Sequence, residues 1–249
     1  MQWPRSFFPD GSWRVLQRHL GLTSRSGKTR AADSTLPAPF SMKDDVVFVS
    51  IDIEAWEMNH SQITELGIAV LDTRDIHGIA PGPGGSNWID TIQSRHFIDS
   101  NLTHLVNSVY VEGRPDEFNH GDSEYVPKSA IVRALRSVLH HGFDYDGSMQ
   151  RNVVMVVHDK ASEQRLVQHL DKKAFCNARV LFTADTQVYA TRDDRRFGLE
   201  AIAKAFSVEH ECPHNAGNDA VVTLQALVKM VCLRTFESKA FFQRSARLR

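Results

Sequence analysis

FVSIDIEAWE, residues Phe48 to Glu57, is the stretch on which the reading of this chain turns. Val46 to Ile53 is a run of apolar, largely β-branched residues, the pattern of a strand buried on both faces. Side chains two positions apart on a strand share a face, so Asp52 and Glu54 point the same way from a segment that otherwise belongs in a core. Two anions so placed repel. The pair is tolerable if one acid keeps a proton, if Lys or Arg neutralises it, or if a divalent cation binds there. No basic residue occurs within the run. Seen alone, an acidic pair at a strand end is also what a solvated loop produces.

Working outward, a second strand is expected at Ile63 to Leu71 and a third near Arg95 to Asp99. Between them APGPGGSNW, Ala80 to Trp88, reads as an exposed loop inserted in a hairpin. With no helical pattern separating them, the three strands form an antiparallel meander. Pro127 to His141 follows with Ile131, Leu135, Val138 and Leu139 on one face, the spacing of a helix that Pro127 opens. Then come a strand at Val153 to Val157, a helix at Ser162 to Leu170, a strand at Val180 to Thr183, and helices at Leu199 to Phe206 and Ala220 to Leu233. Strands alternating with helices imply parallel pairing through right-handed crossovers. The expectation is an α/β domain with an antiparallel and a parallel half, whose site lies at the ends of the central strands.

The second chemical signal is HNAGNDAVVTLQAL, His214 to Leu227, where His214 and Asp219 lead into an apolar helix. At about 100° per residue, five helical positions would leave the two side chains roughly 140° apart. Both face one site only if His214 stays in the preceding loop, a turn that Gly217 would ease. The plainer reading is a helix start capped by Asn215 or Asn218.

Taken together, these residues resemble the DEDDh exonucleases of the ribonuclease H-like superfamily: Asp-x-Glu on a first strand, an acid at a central helix, His-x4-Asp at a late one. IDIEAWE with ITELGIAVLDT, RHFI, DEFNHGDSEYV and HNAGNDAVVTL is similar to the fungal Gfd-type exonuclease-like proteins, from Val46 to about Leu233. The resemblance implies a ribonuclease H-like mixed sheet of three antiparallel and two parallel strands flanked by helices. It also implies a metal-dependent 3′-to-5′ exonuclease acting on single-stranded nucleic acid with a 3′ end, with RNA preferred.

Carried over by residue, Asp52, Glu54, Asp219 and Glu163 would hold two divalent cations, Mg²⁺ or Mn²⁺, about 4 Å apart. Asp52 would bridge the two ions, and His214 would be the general base. The middle motif departs from the pattern. VVHDKASEQRLV supplies His158 and Asp159 but sets Glu163 where the family has aspartate. The extra methylene moves the carboxylate by roughly 1.5 Å, and errors of about 1 Å can cost on the order of a hundredfold in rate. The alternative function is therefore a weak or inactive exonuclease-like fold serving as a scaffold for nucleic acid or protein. A zinc site from His210, Cys212 and His214 is a further alternative, though no fourth ligand at a zinc-like spacing is evident.

Composition is that of an ordinary globular protein, 42% hydrophobic and 24% charged over 249 residues. Three cysteines, Cys176, Cys212 and Cys232, give no disulfide framework and fit a reducing compartment. No apolar run approaches the roughly 20 residues of a membrane span, so no membrane partner is expected. The expected placement is intracellular, cytoplasmic or nuclear. Residues 1–43 read as a disordered or targeting tail, which before Lys43 holds about +4, against about −5 for the rest and −1 overall. Being Arg-rich and poor in acids, the tail suits a mitochondrial presequence as well as a disordered arm. Its GLTSRSGKT segment, Gly21 to Thr29, mimics a phosphate-binding loop but has five residues between the glycines where the motif needs four. The catalytic domain is expected to span 44–236, followed by a basic tail, 237–249, with Arg244, Arg247 and Arg249.

Overall fold

The computed structural model describes residues 9–24, 33–42, 46–140, 150–191 and 195–248. A six-stranded mixed sheet in the order β4-β3-β2-β1-β5-β6 forms its centre. β1 (Val47–Ala55), β2 (Ile63–Asp72) and β3 (Gln93–Asp99) run antiparallel, and β5 (Val153–Val157) and β6 (Val180–Asp185) continue the sheet parallel to β1. This is the expected ribonuclease H-like arrangement. β4 (Ser123–Val126) adds a parallel edge partner to β3 that the sequence conceals, because SEYV is too short and too polar to show alternation.

Helices cover both faces of the sheet, which is why β1 is apolar along most of its length. Val47, Val49, Ile51 and Ile53 face the layer formed by α3 (Lys128–Leu139) and α4 (Lys160–Leu170). Phe48 faces the opposite layer, built on α6 (Leu199–Phe206) and α7 (Ala216–Phe236). Alternation gives Asp52 and Glu54 the face of Phe48, towards α7. Gly67, the partner of Asp52 on β2, lets α7 approach that closely: a Cβ there would lie 1.7 Å from the Ala216 carbonyl oxygen.

α7 has 21 residues and is long and apolar enough to cross a bilayer, contrary to the expectation that no run reaches that length. Its apolarity follows from its position, since it is almost wholly buried against the sheet, α6 and two terminal helices.

Both of those helices correct the sequence reading. α1 (Pro9–His19) belongs to the segment read as a tail, yet Trp13 and Leu16, with Leu20 and Leu22 just beyond it, are buried in the main core. Trp13 meets Tyr189 and Phe241 edge-on, with ring centres 4.8 and 5.3 Å away. Each such side chain stabilises the fold by about 1.5–3 kcal/mol when fully buried, so these four residues suffice to dock the helix. Gly27 and Lys28 of the loop mimic and the boundary at Lys43 lie outside the described residues. At the other end, α8 (Ser238–Ser245) buries Phe241 against α6, and Arg244 Nη1 donates to Ser207 Oγ at 2.6 Å. The basic C-terminal segment is thus a packed helix; Arg249 lies outside the described residues.

APGPGGSNW is likewise no exposed loop. It forms a 3₁₀ turn (Pro83–Gly85) running into α2 (Ser86–Ile89), with Trp88 fully buried and Gly85, at φ 84°, against Val228 and Cys232 of α7.

Candidate active site

Pairing of β1 with β5 ends at Ser50 and Val156. Beyond that point β1 has no β5 partner, and Glu163, in the first turn of α4, lies near enough for the Ile53 backbone N–H to hold its carboxyl down in part. Asp159 caps this helix from a left-handed conformation, φ 58°, and accepts from the Ser162 N–H. It therefore sits off the helix face, as its register implies. Glu163 is buried, 4% exposed, and its Oε2 has no hydrogen-bond partner.

The other wall is the start of α7. Asn215 caps it by accepting from the Asn218 N–H at 3.1 Å, and its own Nδ2 donates to the Arg114 carbonyl at 2.9 Å. His214 lies in the preceding loop, the condition for it to share a site with Asp219. The turn is made by His214 itself, at φ 64°. Gly217 does not provide it: it is an ordinary helical residue whose lack of a Cβ admits Phe118 and His96, which a side chain would approach within 2.6 and 2.8 Å.

Glu54, His214 and Asp219 each offer one ligand atom, and these atoms lie within 4.8 Å of one another, the one such group among the described residues. Asp52 and Glu163 belong to the same acidic field but stand outside this tightest trio. Burial pushes the Asp52 carboxyl well above its ordinary range, and repulsion from Glu163, Asp219, Glu54 and Glu65 adds to it. Glu54 is pushed up to about 8 by burial, then by Glu65 and Asp219. For Glu163, burial and repulsion from Glu54 and Asp159 outweigh the opposing pull of the Ile53 backbone N–H, again raising it. Oxygen donors with one imidazole nitrogen, held in mutual repulsion and with one buried oxygen lacking a partner, suit a hard divalent cation.

Three neighbours of this cluster escape the sequence reading. Glu65 lies directly across from Glu54, is buried, and accepts from the Ala216 N–H at 3.2 Å. Its Oε2 is also 2.9 Å from His96 Nε2, and His96 Nδ1 is 2.9 Å from Ser123 Oγ. This chain of contacts ties β2, β3 and β4 to the start of α7. Gly67 is the second, and an isolated glycine inside a strand pattern is the signal that would have found it. The third is His210, singled out in the sequence only as a zinc candidate, whose Nε2 lies 2.6 Å from Asp219 Oδ1, a pairing its local sequence does not show.

The zinc alternative fails on geometry, because its three residues do not converge. Cys212 Sγ donates to Glu117 Oε2 at 3.0 Å, while His210 turns to Asp219.

A mixed sheet in this order, with an acid pair closing its central strand and an acid in the first turn of a late helix, is the arrangement of an exonuclease-like domain of ribonuclease H-like fold. The chain belongs to the DEDDh family described as DNA polymerase III subunit epsilon-like, C-terminal domain, whose model matches residues 47–230. An uncharacterized nucleolar protein of Schizosaccharomyces pombe is 28% identical over 190 residues, covering 74% of this chain and 68% of the relative. The Good for full DBP5 activity protein 2 of Saccharomyces cerevisiae is 22% identical, covering 87% of this chain, which bears out the resemblance to Gfd-type proteins. The chain spans only 40% of that relative's length. Among solved structures, the pseudoubiquitin hydrolase-RNA exonuclease module of Saccharomyces cerevisiae Pan2, in complex with A7 RNA, is 14% identical with a TM-score of 0.45. That match covers 82% of this chain and 31% of the other.

Proposed function

We propose that this chain is a metal-dependent 3′-to-5′ exonuclease acting on single-stranded nucleic acid, with RNA as its substrate. The observation that carries the proposal is the acid cluster at the end of β1, where the charges acting most strongly on Asp52 are all those of other acids. Folds do not concentrate half-buried like charges without a counterweight. Asp52, Glu54, Glu163 and Asp219 would hold two Mg²⁺ or Mn²⁺ ions. When bound, such ions offset the charge of the scissile phosphate and of the departing 3′ oxygen.

The chain's own residues supply the rest. His214, beside Glu54 and Asp219, takes the proton of the attacking water, a role suited to imidazole. Glu65 and the Ala216 N–H fix the start of α7 to the sheet, and so fix His214 relative to Glu54. The nucleolar name of the Schizosaccharomyces pombe relative supports a nuclear placement and, with it, RNA.

The test is to incubate 5′-labelled single-stranded RNA and DNA with the protein in Mn²⁺ or EDTA, beside Asp52→Ala. The expected result is a ladder shortening from the 3′ end, faster on RNA, and absent in EDTA and in the variant. Equal degradation by the variant would remove the support for this mechanism.

Glu163 in place of aspartate favours one second reading, a fold that binds RNA or a protein without cutting. Its signature would be RNA binding unaffected by Asp52→Ala, with no rise in melting temperature on adding Mn²⁺.

A further inference from the structure

His210 lies in the connection between α6 and α7, nine positions before Asp219. Its side chain is only 5% exposed, and Nε2 lies 2.6 Å from Asp219 Oδ1. The other carboxylate oxygen, Oδ2, accepts the backbone N–H of His214 at 3.1 Å. The 210–214 loop is thus hung at both ends on one carboxylate. Between those ends the backbone is strained: Cys212 and His214 both occupy the left-handed region, at φ 49° and 64°, without being glycine. Such conformations persist when surrounding contacts over-determine them. Here the contacts include the two to Asp219, a hydrogen bond from Asn218 Nδ2 to the Cys212 carbonyl at 3.2 Å, one from Cys212 Sγ to Glu117 at 3.0 Å and one from the Arg114 N–H to the His214 carbonyl at 3.2 Å.

We infer that His210 is a positioning residue, which orients the Asp219 carboxylate and closes the loop that carries His214. The metal-binding consequence rests on the exonuclease reading; the loop geometry does not. A carboxylate only accepts hydrogen bonds, so Nε2 must carry the proton in this contact. The bond leaves further lone pairs on both Asp219 oxygens, so holding the carboxylate does not block it as a ligand. Partners of this kind set ligand orientation, and their loss costs roughly 10–100-fold in metal affinity.

The experiment compares wild type, His210→Leu and His210→Gln, the last keeping a donor that reaches Asp219. Two quantities are read: Mn²⁺ affinity by titration of the free protein, and hydrogen exchange at the His214 amide without metal. Expected for His210→Leu are about 10–100-fold weaker Mn²⁺ binding and exchange at the His214 amide at least about tenfold faster, as that bond opens more readily. His210→Gln should restore most of both. If His210→Leu does not fold, His210→Asn serves in its place, since the shorter amide cannot span the gap; Asn and Gln variants that behave alike overturn the inference. So does wild-type behaviour of His210→Leu in both measurements. If the wild type itself takes up no Mn²⁺, the exonuclease reading falls, while the exchange data still decide whether His210 holds the loop.

Discussion

At the start of β1 a carboxylate is half-buried with its answer beside it; at the end of the same strand others are half-buried with none. Asp72, paired with Val47 across the sheet, receives both terminal nitrogens of Arg151, which is itself only 7% exposed. Burial pushes the Asp72 carboxyl up, but the hydrogen bonds and charge of Arg151 and Arg74 win, and it ends below its ordinary value. Five to seven residues along β1 the balance reverses: Asp52, Glu54 and, from α4, Glu163 are all raised, first by burial and then by one another and their acidic neighbours. Both ends contain the same chemical group at comparable depth. The first is solved within the chain, which identifies it as structural; the second calls for a charge from outside.

The largest effect that separates the two ends is on catalysis. Asp52→Asn keeps the shape of the side chain and removes its charge. Exonuclease activity should fall on the order of a thousandfold, the scale seen when one preorganised charge-stabilising group is lost. Without metal, the same variant should be at least as stable as wild type, because one repelling charge is gone. A variant that is inactive and also markedly less stable would mean that Asp52 is structural, like Asp72.

Arg151→Met tests the opposite end. Stranding one partner of a buried ion pair costs about 3–5 kcal/mol, or roughly 6–20 °C in melting temperature for a domain of this size. Adding Asp72→Leu should return most of the loss, and activity per folded molecule should stay unchanged throughout. A single variant that melts as wild type would show that the pair is neutral, and the contrast between the two ends would lose its structural half.

The next effect is one of pH. Glu54 rises in the folded state from 4.5 to about 8. A carboxyl raised on folding contributes stability that is full below its unfolded pKa and is lost as pH climbs through the folded one. In EDTA the protein should therefore weaken between pH 5 and 8, on the order of 2–4 kcal/mol after allowance for solvent screening and coupling. Saturating Mn²⁺ should flatten the slope, since a ligand bound only by the folded state opposes the loss. A melting temperature level across this range in EDTA would show that the acids are not repelling one another.

These contrasts were unequally visible in the sequence. The sheet was legible because both-face burial writes itself as apolar runs, and β1, β2, β3, β5 and β6 all fall where those runs lie. Asp52 and Glu54 stood out for the same reason, as charges interrupting such a run. β4 was hidden because an edge strand of four residues needs no apolar pattern. The terminal helices were hidden because each anchors through a few aromatic and aliphatic side chains amid polar ones, so composition resembles a tail while Trp13 and Phe241 are core. Glu65, and the role of His210, were hidden for a deeper reason. Each acts through a partner distant in sequence or across a loop, and one-dimensional periodicity carries no record of such pairings. The Asp72–Arg151 pair, 79 positions apart, was hidden likewise.

The smallest expected effect sits where the sequence departs from its family pattern. If Glu163 merely overreaches, Glu163→Asp should raise activity several-fold, within the hundredfold ceiling that about 1 Å of misplacement allows. Glu163 does more than overreach, because it also stands beside the open edge of β1, where the Ile53 backbone N–H offsets part of the rise in its carboxyl. Shortening the side chain would weaken that contact, with an expected loss of about 1 kcal/mol or less. The informative outcome is therefore the pair of readings together. A gain in activity with a loss in stability means the longer acid trades rate for sealing the strand edge. A loss in both means that Glu163 fits this site, and that the neighbouring backbone has adjusted to the longer side chain.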